Sequence, residues 1–118
     1  MKKSSTTLLV FGIYLVGMGL GLVAMPNVVL GMFGLPATNE VWVRVVGVLA
    51  LVLAHYYISA ARTDLKTFAQ WTVPARIGVF IAFAAFVVAG FVGPIMIALG
   101  AVDLLGALWT WSALKAEK

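Results

Sequence analysis

VWVRVVGVLALVLAHYYISAAR, residues 41–62, is apolar enough to cross a bilayer, yet it holds Arg44 near one end and His55 further along. A helix rises 1.5 Å per residue, so a segment of this length matches a hydrocarbon core about 30 Å thick. At about 100° per residue, Arg44, Val48, Leu51, His55, Ser59 and Arg62 fall on one stripe, while Tyr56 and Tyr57 point elsewhere. Polar side chains are costly against lipid, so this stripe is expected to look into a helix bundle. An alternative for Arg44 is that it sits at the outer end of the span and extends to the headgroups.

The composition supports a membrane reading. Of 118 residues, 64% are hydrophobic and 10% charged, against about 45–50% and about 25% in soluble domains. A soluble fold of this size could not cover so much apolar surface with so few charges. With no cysteine, disulfides, zinc–thiolate sites and thiol nucleophiles are excluded. One compact domain over residues 1–118 is expected.

Three further apolar runs flank the opening segment. Residues 7–25 follow Lys2 and Lys3; the run is long for a secretory leader and no small-x-small pattern precedes Pro26, so a retained span is expected. PNVVLGMFGLPATNE, residues 26–40, is too short in its apolar part to span and suits a short interfacial segment. Residues 77–114 are almost continuously apolar. As one helix they would reach roughly 57 Å, so they must fold back, and the break is Gly90-Phe-Val-Gly93-Pro94. The expected spans are 77–92 and 95–114. The stretch between them and the second span, residues 62–76, reads as a polar loop, with Trp71 in an interfacial belt and Pro74 opening the next helix.

The predicted fold class is therefore all-α: an integral membrane four-helix bundle with spans at 7–25, 41–61, 77–92 and 95–114. Lys2, Lys3, Arg62, Lys66, Arg76, Lys115 and Lys118 fall on one side and only Arg44 on the other. The positive-inside rule then places both termini on the cytoplasmic side; a bacterial-type inner membrane is the expected location. The net charge of +4 is a topogenic signal rather than a nucleic-acid footprint, since no basic patch is interleaved with exposed aromatics.

Ionisable residues inside spans are the default functional candidates. Asp103 lies among small residues, sharing a face with Met96, Gly100, Ala107 and Thr110. Arg44 is placed to reach inward and pair with it; the pair could equally be structural. His55 and Tyr14 are expected at similar depth, about 9–10 Å from the inner surface, where they could hold a ligand's polar head or simply satisfy each other. Gly17 and Gly21 form G-x-x-x-G, and Gly100 and Gly106 flank Asp103; all four are expected to pack helices closely. No catalytic constellation and no metal-ligand set is present, and no cofactor is indicated.

The layout resembles the DoxX-like class of small bacterial four-helix membrane proteins. The likeness rests on P-x-x-x-L-x-x-F-G-L-P at residues 26–36, on R-V-V-G-V-L-A-L-V-L at 44–53, and on an acidic residue among small ones at 100–106. The resemblance implies accessory, assembly or redox-linked membrane roles. This sequence lacks the cysteines of the redox-active relatives.

The leading expectation is a non-enzymatic membrane protein whose polar interior binds a small amphipathic or lipid-like ligand, or docks a partner membrane protein. Glycine-rich faces suggest a homo-oligomer. The alternatives are a small proton-coupled transporter or channel titrating at Asp103 and His55, and a membrane enzyme acting on a lipid or quinone with His55 as general base.

Overall fold

The computed structural model describes residues 1–117, and among them every regular element is a helix: α1 (Lys3–Ala24), α2 (Pro26–Met32), α3 (Trp42–Arg62), α4 (Lys66–Val88) and α5 (Ile95–Ala116). The four long helices are each long and apolar enough to cross a membrane. The chain between the first two long helices forms only the seven-residue α2.

Proline and the left-handed backbone decide where the helices end. Met25 leaves helical geometry (φ −137, ψ 61) because Pro26 follows it; a proline crowds the preceding residue out of the α region and is itself at home in a first helical turn. At the end of α2, Gly34 takes φ 68, its N–H reaches the Gly31 carbonyl, and the Leu35 N–H reaches that of Leu30. This is the Schellman arrangement, which satisfies two carbonyls a helix end would otherwise leave free. The end of α4 repeats it: Gly90 has φ 80, Gly90 N–H bonds Val87, and Phe91 N–H bonds Phe86. The end of α3 repeats it with an aspartate. Asp64 has φ 51, Asp64 N–H bonds Ala61 and Leu65 N–H bonds Ala60.

That turn corrects the reading of residues 62–76. The reversal takes only Thr63, Asp64 and Leu65, so α4 begins at Lys66, two turns before Pro74. Pro74 lies inside the helix rather than opening it. The carbonyl it cannot engage is that of Gln70, and both residues are exposed, so the broken bond falls on the outer side of the helix.

α1 is the central element and touches the other four. Its most extensive partner is α3, and that of α4 is α5. The α1–α3 contact is made by small residues seven apart: Gly12 and Gly19 on one helix, Gly47, Ala54 and Ala61 on the other, all buried. A Cβ on Gly19 would stand 2.8 Å from the Gly47 carbonyl oxygen, and one on Gly47 would stand 2.9 Å from that of Gly19. The two backbones therefore touch, as close-packed membrane helices with small residues do. Gly17 corrects an expectation: a Cβ there would meet nothing within 4 Å. The seven-residue repeat places the contact, not the four-residue G-x-x-x-G. Gly21 instead faces Val29 of α2, and Gly100 faces Phe83.

Both chain ends and the α3–α4 turn share one end of the bundle. The Lys2 main-chain N–H donates to Asp64 Oδ1 at 3.0 Å, and the Ser4 N–H donates to Glu117 Oε1 at 2.9 Å. The core cluster lies in this terminal half, around Leu8, Phe11, Tyr57, Ala60, Ala69 and Leu114. Toward the α2 end the helices part. α4 has no buried residue beyond Arg76.

Candidate functional site

The one charged side chain buried among the described residues is Arg76, 2% exposed. It lies on α4 one turn after Thr72 and projects between α1, α3 and α5. Its Nε donates to the Thr72 carbonyl at 3.3 Å, and its Nη2 donates to Thr72 Oγ1 at 3.0 Å and Thr110 Oγ1 at 2.7 Å. The guanidinium carbon lies 4.8 Å from the centre of the Phe11 ring and 5.7 Å from that of Tyr57, within cation–π range. Nη1 is buried and has no partner.

The hydroxyls below Arg76 form a series with a fixed direction. Thr7 Oγ1 donates to the Ser4 carbonyl at 2.6 Å, so the 2.6 Å contact between Thr7 and Thr110 must carry the Thr110 hydrogen. Thr72 likewise donates to the Ala69 carbonyl at 2.8 Å. Every hydroxyl thus turns its oxygen toward the guanidinium and its hydrogen away. Aligned dipoles of this kind stabilise a buried cation that would otherwise be expensive to desolvate. At the surface, the Ser4 hydroxyl donates to Glu117 at 2.9 and 3.0 Å to its two oxygens. The main-chain N–H of Ser4, then its hydroxyl, then the charges of Lys2 and Lys66 hold the Glu117 carboxyl below its usual range. The Ser5 hydroxyl and the Lys2 main-chain N–H do the same for Asp64.

Above Arg76 the splayed helices border a half-open cavity of about 220 Å³. Leu30, Phe33 and Leu35 of the α2 segment cover it, Leu22, Val46 and Phe83 form walls, and Tyr14 and Asp103 are its polar lining. Asp103 is half-buried and within electrostatic reach of Arg76, Tyr14 and Tyr57. On α5, Gly106 and Thr110 continue the face of Asp103 toward Arg76, so the carboxylate sits about one turn beyond the guanidinium.

Of the expected site residues, the structure brings together Asp103 and Tyr14 and sets the other two apart. Arg44 is exposed, and its Nη1 donates to the Val23 carbonyl in the last turn of α1. It thus serves a carbonyl at the negative end of that helix's dipole, and Arg76 is the arginine in reach of Asp103. His55 is exposed beside Tyr56, their ring centres 5.7 Å apart, and does not meet Tyr14, which packs on Phe11 at 5.4 Å. Of the stripe, Val48, His55, Ser59 and Arg62 are exposed, whereas Leu51 packs against Gly19 of α1. The inward face of α3 is that of Gly47, Ala54, Tyr57 and Ala61, because small residues let α1 approach and polar ones would hold it off.

Arg76 was missed because Pro74 made its surroundings read as loop. The available signal was the hydroxyl residues within otherwise apolar runs, with Thr72 four residues before Arg76 on one helix face.

No family model, curated protein or solved structure matches the chain.

Proposed function

We propose that this chain is a multi-pass protein of a bacterial-type cytoplasmic membrane, with both termini in the cytoplasm, that binds a small amphipathic or lipid-like ligand beneath α2. The observation that carries this reading is the cavity itself: apolar walls, with Asp103 and Tyr14 as the polar groups at one place on its lining. Ligand sites have this make-up, mostly apolar with a few placed polar groups. At about 220 Å³ the cavity takes a compact ring or the head of a longer molecule whose tail leaves into lipid. The orientation is supported by the basic residues gathered at the terminal end.

The test is displacement of an environment-sensitive apolar fluorophore from purified protein in nanodiscs. Leu30→Trp fills the cavity and is expected to weaken binding at least about tenfold, a loss of about 1.4 kcal/mol; Asp103→Asn is expected to alter the preference among polar heads. Unchanged binding of every probe by Leu30→Trp removes the reading. The likeness to DoxX-like proteins is compatible with such a role but adds nothing to its support. Self-association through the outward face of α3 would shelter His55 and Ser59 from lipid, and native mass spectrometry reads it directly.

A further inference from the structure

The groove between α1 and α5 changes character along its length. At the terminal end it is a half-open recess of about 270 Å³ lined by Lys3, Thr6 and Ser112, with Ala113 and Ala116 as the small residues that leave the room. Further along lies a largely apolar crevice of about 150 Å³, with Val10, Phe11, Val102 and Gly106 on its walls. A Cβ on Gly106 would stand 3.4 Å from Phe11 Cδ1, so the missing side chain keeps that crevice open. Trp109 borders both spaces and is 47% exposed.

From Ser112 to Val102 the groove follows α5 for about 15 Å, half of a hydrocarbon core about 30 Å thick. It is one leaflet deep, polar at the surface and apolar below, with a tryptophan at the boundary where indole rings settle. An apolar space of about 150 Å³ holds a molecule the size of benzene, which is room for a stretch of acyl chain. Head and tail of a lipid thus each have a place, in the right order.

Charge selects the head. Among the described residues, Lys3 is the one charged side chain that lines the recess. The acidic groups of this end are engaged elsewhere: Asp64 accepts from the Lys2 main-chain N–H, and Glu117 from the N–H and hydroxyl of Ser4. The Thr6 hydroxyl makes only a 3.3 Å bond to the Lys2 carbonyl, and like that of Ser112 it rotates to suit a better acceptor. An ammonium and two hydroxyls around one recess suit a phosphate, and no carboxylate lines it to receive the amine of a zwitterionic head. We infer that the α1–α5 groove holds an anionic phospholipid of the leaflet at the terminal end. Its phosphate lies at Lys3, Thr6 and Ser112, and one acyl chain runs past Trp109 along Val10 and Val102. The inference rests on the reading that the long helices span a bilayer, and not on a ligand beneath α2.

The experiment reads Trp109 alone, in the full chain carrying Trp42→Phe, Trp71→Phe and Trp111→Phe at exposed positions, reconstituted in phosphatidylcholine vesicles. Phosphatidylglycerol or phosphatidylcholine with brominated acyl chains, which quench indole fluorescence on contact, is included at equal mole fraction. The brominated phosphatidylglycerol is expected to occupy the groove about fivefold more strongly. Lys3→Gln should remove that preference. Lys66→Gln takes the same charge from the same end outside the recess and should leave the preference intact. Equal quenching by the two lipids means that any acyl chain fills the crevice, and overturns the headgroup site. Equal loss of preference in Lys66→Gln and Lys3→Gln assigns it to diffuse surface charge and overturns the site as well. Relief of quenching by inorganic phosphate at constant ionic strength means that a free anion holds the recess, and removes the lipid. Quenching by neither lipid takes Trp109 out of the acyl region; it sinks the membrane-spanning reading itself, and this site with it.

Discussion

At the terminal end, four helices converge on Arg76, and aromatic rings and hydroxyls fill the space between them. At the α2 end, α1 and α3 still touch through glycine, but α4 stands apart on the flank of α5 and a cavity opens under α2. Lipid-like surroundings offer helices little hydrophobic reason to associate, so contact depends on close packing and hydrogen bonds. The terminal half has both. The α2 half packs closely only within pairs, α1 with α3 at Gly19 and Gly47 and α5 with α4 at Gly100 and Phe83, and space remains between the two pairs.

The sharpest way to break this contrast is Arg76→Leu. It leaves the oxygens of Thr72 and Thr110 without their donor, and a hydrogen bond to a charged group contributes about 1.5–3 kcal/mol. Unfolding by denaturant in mixed micelles is expected to show a loss of that size. Gly19→Leu attacks the backbone contact between α1 and α3 in the α2 half. Its side chain would collide with the Gly47 backbone, and overpacking costs about 1–3 kcal/mol. Gly17→Leu, at a position with nothing within 4 Å, is the control and should be near neutral in the same assay. Leu30→Ala trims the cover of a cavity already present and is expected to cost less than either, about 1 kcal/mol.

The smallest effect concerns pH at the terminal end. The folded carboxyls of Glu117 and Asp64 lie below their ordinary values of 4.5 and 3.8. A depressed acid contributes stability that is complete above its unfolded pKa and is lost as pH falls through the folded one. Thermal melting should therefore be flat above about pH 5 with respect to these groups and decline below about pH 4.5. Glu117→Gln should lessen that decline slightly, because the carboxyl is largely solvated and its bonds are screened. A slope that is the same in Glu117→Gln and wild type would show that the bonds to Ser4 contribute nothing.

The helices were legible because apolar runs of this length allow little else. The expected spans 41–61 and 95–114 fall within a residue or two of α3 and α5. The hidden part was α4. Pro74 carries a strong breaking signal, but a proline whose freed carbonyl faces outward is tolerated, and sequence does not say which way a carbonyl faces. The same limit governed α3. Periodicity shows that Arg44 and His55 share a face; which face turns inward was decided by Gly47, Ala54 and Ala61 against Gly12 and Gly19, a property of two helices together. Asp103 was readable from the small residues around it. The role of Arg76 was not, since it stands thirty-four residues from Thr110 and only folding brings the two together.

The one-way order of the hydroxyls below Arg76 has an electrical meaning. Each hydrogen points toward the terminal end, and the last acceptor is the Ser4 carbonyl, a main-chain oxygen with no proton to pass on. A Grotthuss relay requires every link to accept and release in turn, and here the final link does only the first. The series steadies a charge without conducting one.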